Sequence, residues 1–166
     1  MFTPWQTFFQ LTGSSSAALI GLLFVVVSFT TRRAGQDVSA GVRLFMTPTV
    51  FVLAMVLAIS AVALAPPALP ATALILAGGV WTLAYSAGVA LRLFRFEGVS
   101  HWSDIWFYGF IPMLLALGLA GAALLAWMGE RRGVTVLAVL LLCLLGVAIR
   151  NGWDLVTWLA PRRPES

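Results

Sequence analysis

Five long apolar stretches, separated by short breaks rich in proline, glycine or charge, account for almost the whole chain. Crossing a hydrocarbon core of about 30 Å takes about 20 helical residues. Windows of that length fall at about 6–29, 44–65, 70–91, 105–128 and 134–160. Pro66-Pro67 cannot continue a helix and closes the second window, whereas Pro70 is acceptable in the first turn of the third. The connections are too short to fold as separate soluble units. The pattern therefore predicts an all-α fold, a polytopic transmembrane bundle of about five helices forming a single integral-membrane domain over 1–166. A variant has four spans and a C-terminal helix lying in the interface, because Arg150, Asn151, Gly152 and Asp154 interrupt the last window.

Within these windows the polar and small residues are not scattered. Gln6, Gln10, Gly13, Ser14, Ala17, Gly21 and Ser28 fall on one arc of about 100° of the first helix. Gly13, Ala17 and Gly21 repeat a small residue every fourth position, a spacing that lets helix backbones approach closely in lipid. They are the candidate packing face, and Gln6, Gln10 and Ser14 are a candidate polar face. Gly78, Thr82, Ser86 and Ala90 repeat the theme on the third helix. Thr82 and Ser86 can bond back to carbonyls four residues earlier. On the fifth helix Arg150 and Asp154 stand four apart, where opposite charges meet. Each would cost about 2.5–3.5 kcal/mol unpaired at the centre of a span. With Asn151 they form the candidate intramembrane polar group.

Composition supports the membrane assignment: 61% of residues are hydrophobic and 10% charged, against roughly 25% charged in soluble domains. All basic residues are arginine, and none forms a run longer than two, so the high pI of 10.6 reads as topology anchoring and not as nucleic-acid binding. With the N-terminus outside, Arg32, Arg33, Arg43, Arg92, Arg95, Arg162 and Arg163 lie on the cytoplasmic side, leaving Arg131 and Arg132 outside. Most tryptophans fall near window ends, as indoles prefer the interface. Trp81 falls mid-span, where its N–H is expected to need a partner from a neighbouring helix. The first apolar stretch is followed by Arg32-Arg33 and reads as a retained helix.

Enzymatic chemistry finds little support. The single histidine allows no paired-histidine metal site, and no nucleophile elbow, CxxC or phosphate-cradling glycine loop occurs. No catalytic, cofactor or metal residues are therefore expected. His101-Trp102-Ser103-Asp104 reads as a helix start, with Ser103 as cap and Asp104 favouring the helix dipole. Cys143, within Leu140–Leu145, reads as an apolar filler.

Two stretches, Leu11-Thr12-Gly13-Ser14-Ser15-Ser16-Ala17-Ala18-Leu19-Ile20-Gly21-Leu22-Leu23-Phe24-Val25-Val26-Val27-Ser28 and Asn151-Gly152-Trp153-Asp154-Leu155-Val156, resemble a loosely defined set of small uncharacterised bacterial multi-pass membrane proteins. That set joins a small-residue first helix to a C-terminal Asn-Ala-Trp, and here Gly152 stands in place of the alanine. Some of its members are labelled automatically as modulators of a membrane-anchored protease. The resemblance implies no established activity.

The expected function is that of a non-enzymatic protein of the bacterial inner membrane. It would act through helix–helix contacts, with the lipid bilayer, another copy or another membrane protein as partner. The alternative is a small channel or transporter formed by oligomerisation, lined by Gln6, Gln10, Ser14, Arg150, Asn151 and Asp154.

Overall fold

The computed structural model describes residues 2–31, 36–66, 70–95 and 106–159. After a 3-10 turn at Thr3–Trp5 come α1 (Gln6–Thr31), α2 (Gln36–Ala63) and α3 (Ala71–Arg95). A π-helical turn at Trp106–Phe110 leads into α4 (Ile111–Trp127), and α5 (Arg131–Leu159) follows. All five helices are long and apolar enough to cross a membrane. The chain is thus a multi-pass helical bundle, as the periodicity predicts.

Helices α2, α3, α4 and α5 pack in a ring, each against the next and α5 back against α2, while α1 lies across the α2–α5 edge. The interior is filled by Val52, Leu53, Val56 and Ile59 of α2, Leu119 of α4, and Leu137, Leu141 and Leu144 of α5, all buried. Lipid gives helices little hydrophobic reason to associate, so close approach of backbones must supply much of the cohesion. Glycines allow it here. A Cβ on Gly79 of α3 would come within 3.0 Å of the Ala120 nitrogen on α4, and one on Gly109 within 3.1 Å of the Ala90 Cβ.

The α4–α5 hairpin is the tightest of these contacts. Gly129, with φ of 90°, donates to Ala126 O while Glu130 donates to Leu125 O, the bond pattern of a Schellman cap. Gly133 then passes so close to α4 that a Cβ would lie 2.6 Å from the Ala126 nitrogen. The connection is thereby shortened to residues 128–130.

Two boundaries differ from the sequence reading. Helix α2 begins at Gln36, eight residues before the expected start, and carries Pro48 inside it. A spanning helix tolerates an interior proline when neighbouring helices satisfy the freed backbone. Helix α5 is unbroken from Arg131 to Leu159, so the variant with a separate in-plane C-terminal stretch does not hold. Its 29 residues extend about 43 Å, more than a straight crossing needs.

Candidate functional site

Proline 112 explains the geometry at the start of α4. In the i→i+5 register of the π-turn, the Phe107 carbonyl faces the nitrogen of Pro112, which has no hydrogen to give. A carbonyl left open at the edge of a bilayer needs another donor. Asn151 of α5 supplies it, its Nδ2 donating to Phe107 O at 3.1 Å. The Tyr108 hydroxyl returns the favour, donating to Asn151 O at 3.1 Å. Tyr108 is buried, and Asn151 is only 3% exposed. Two backbone carbonyls, one on each helix, thus bond to side chains of the other.

The charged pair completes this clamp. Arg150 Nη1 meets Asp154 Oδ2 at 2.9 Å and also donates to Asn151 Oδ1 at 3.3 Å. The guanidinium carbon lies over the Phe107 ring, 3.6 Å from its centroid, where cation–π attraction adds to the ion pair. Arg150 stands 19 residues beyond Arg131, about 28 Å along the helix, so it reaches the far edge of a hydrocarbon core of about 30 Å. Its side chain is 34% exposed and that of Asp154 40%. Arg150, Asn151 and Asp154 are therefore brought together, Arg150 and Asn151 against Phe107 of the π-turn and Asp154 paired with Arg150.

The first helix behaves otherwise. Gly13 is buried against α2, where an added Cβ would lie 3.2 Å from the Ser60 Cβ. Ala17 and Gly21 are exposed, and nothing lies within 4 Å of a Cβ on Gly21. Packing within the chain thus uses one member of the expected small-residue face and not the other two. Gln6, Gln10 and Ser14 also point outward, Ser14 bonding back to Gln10 O at 2.7 Å. The contact with α2 is made instead by Phe9, Thr12, Gly13, Ser16 and Leu23, rotated roughly a quarter turn from the expected arc. Two buried hydrogen bonds hold it: Thr12 Oγ1 to Ser60 Oγ at 3.0 Å, and Ser16 Oγ donating to Leu53 O at 2.6 Å. Thr12, Ser16 and Ser60 had a signal in the sequence, since Ser60 is an isolated hydroxyl deep in an apolar run.

On α3, Thr82 and Ser86 are buried and Thr82 donates back to Gly78 O at 2.8 Å, so this face is a helix contact as expected. Trp81 is not: it is 66% exposed and turns out of the bundle, so the expected inter-helix partner is not what positions it. Cys143 is exposed on the outer face of α5. His101, Ser103 and Asp104 lie outside the described residues.

No family model matches the chain, and neither the curated proteins nor the solved structures include a match.

Proposed function

We propose that the protein is a non-enzymatic, multi-pass protein of the bacterial inner membrane that works by presenting a helix face to another membrane helix. The observation carrying this reading is the outward arc of α1. Gln10, Ser14, Ala17 and Gly21 are exposed along one side, and nothing lies within 4 Å of a Cβ on Gly21. In hydrocarbon an amide side chain gains by finding a hydrogen-bonding partner, and the small residues beside it let a second backbone approach. The partner is a second copy or an assembly partner of the same membrane. The channel alternative is less well supported, because its expected lining is divided: Asn151 is buried and bonded to Phe107 O and Arg150 lies over the Phe107 ring, while Gln10 and Ser14 are exposed on α1.

Cysteine crosslinking in intact membranes, in a Cys143→Ser background, tests the reading. Gly21→Cys should yield a crosslinked species of higher mass, while Leu117→Cys on the outer face of α4 should not. Equal yields at both positions would contradict it. For orientation, the arginine distribution supports an outside N-terminus and a cytoplasmic C-terminus. Reporters fused at Ser39 and Ser166 should then read cytoplasmic and one at Gly133 outside.

A further inference from the structure

Trp81 carries a polar group that the fold leaves over. It stands at the midpoint of the apolar span Ala71–Leu91, is 66% exposed, and has neither a hydrogen-bond partner nor a ring contact among the described residues. At that depth an exposed side chain faces hydrocarbon, which offers an indole N–H no acceptor. Ala77 and Ala84, about one turn to either side, are also exposed, so the indole projects from α3 as a lone knob. On α1, Ser14, Ala17, Ala18 and Gly21 are all exposed and stand at i, i+3, i+4 and i+7. Those are the four corners of a hole that receives a knob from a facing helix. We infer that a second copy of this chain docks here, face to face across a two-fold axis along the membrane normal, with the Trp81 of each copy seated in the α1 hole of the other. The inference rests on the reading of the α1 face above and names its partner.

Three observations converge on a second copy. The first is depth. The apolar span Thr3–Phe29 of α1 has its midpoint at Ser16, about 2 Å from the centre of the hole. α1 and α3 cross in the same direction and lean on the same stretch of α2, Gly13 against Leu57 and Ser60, Gly78 against Met55 and Ile59. The knob of one copy thus meets the hole of another at one level when both are inserted alike. The second is arrangement. Between its contacts with α1 and with α3, the outward arc of α2 carries Ala54, Ala58 and Ala61, all exposed. Hole, alanine stripe and knob therefore lie side by side on one face. A two-fold rotation about the membrane normal exchanges the edges of that face, setting α1 of each copy against α3 of the other and α2 against α2. The contact closes on itself and is made twice. The third is chemistry. Ser14 Oγ gives its hydrogen to Gln10 O and retains acceptor capacity for the indole N–H. Side chains lean toward the N-terminus of their helix, which carries the Trp81 indole toward that corner of the hole. An acyl chain could fill the hole but could not accept the hydrogen.

The test uses the full chain in lipid bilayers. In the Cys143→Ser background, two differently tagged copies, one carrying Gly21→Cys and the other Ala84→Cys, should join in a disulfide on mild oxidation. Those positions lie about one turn beyond the hole and the knob. Leu117→Cys on α4, in place of Ala84→Cys, should give none. Single-molecule photobleaching of the parent chain should count two copies. Trp81→Ala, at an exposed position that no bond within the chain uses, should raise the dimer dissociation constant about tenfold or more. Trp81→Phe, which keeps most of the ring and loses the N–H, should raise it by about threefold. Monomers alone, an unchanged constant in Trp81→Ala, or a disulfide as strong with Leu117→Cys as with Ala84→Cys would each overturn the inference. A Gly21 crosslink of higher mass that contains no second copy would overturn it too, while leaving the reading of the α1 face intact. Absence of any Gly21 crosslink would sink both.

Discussion

On α5, Arg150, Asn151 and Asp154 turn toward the π-turn of α4, and each finds a bonding partner within 3.3 Å. On α1, Gln6, Gln10 and Ser14 form an equally regular pattern and are all exposed, Gln6 at the rim of a crevice beside the end of α2. The difference lies in what each pattern costs if left alone. A guanidinium or carboxylate near the end of a span, or a carbonyl stripped of its donor by Pro112, has fewer ways to be satisfied than a hydroxyl. Its partner is therefore fixed. A serine satisfies itself on its own helix, as Ser14 does on Gln10 O, and a glycine requires nothing. Small residues permit a close contact without saying which helix will make it.

The sharpest way to break the comparison is on α1 itself. Gly13→Leu should push α1 off α2 and cut the Thr12–Ser60 and Ser16–Leu53 bonds, costing about 3 kcal/mol in unfolding measured by steric trapping. Gly21→Leu, with open space around it, should change stability by no more than about 0.5 kcal/mol. Equal losses would mean that both glycines pack within the chain.

The charged pair should show a smaller effect, because both side chains are more than a third open. In a double-mutant cycle, Asp154→Ala and Arg150→Ala should be non-additive by about 0.5–1 kcal/mol, with the double change milder than the two single losses combined. Strict additivity would make the two residues independent anchors. Smallest of all, Gly152→Ala should be neutral or slightly stabilising in a melt. Its Cβ would rest 3.4 Å from Leu23 Cδ2, an ordinary contact, and alanine favours the helix by up to about 1 kcal/mol. A marked loss would indicate that α1 sits closer to α5 there.

These cases show what could be read from the sequence. Spans of about 20 apolar residues dictate five helices whatever their neighbours do, and the i, i+4 spacing of Arg150 and Asp154 dictates their meeting. The partner surface was out of reach, because it depends on the ring of four helices that carries the π-turn to α5. The rotation of α1 was missed for a related reason. The expected arc of polar and small residues leaves out Thr12 and Ser16, whose buried hydroxyls, with the ring of Phe9, decide the contact. Pro112 was the overlooked clue. A proline inside a span frees a carbonyl one turn earlier, and a lone asparagine on another helix is a suitable donor for it.

That link between Pro112 and Asn151 is the central claim, and a second double-mutant cycle tests it most directly. Replacing Asn151 by leucine should cost about 2 kcal/mol in the parent chain, because the Phe107 carbonyl loses its donor. In a Pro112→Ala background the restored N–H can serve that carbonyl, so the same replacement should cost less than about 0.5 kcal/mol. An undiminished cost for Asn151→Leu in the Pro112→Ala chain would contradict the account.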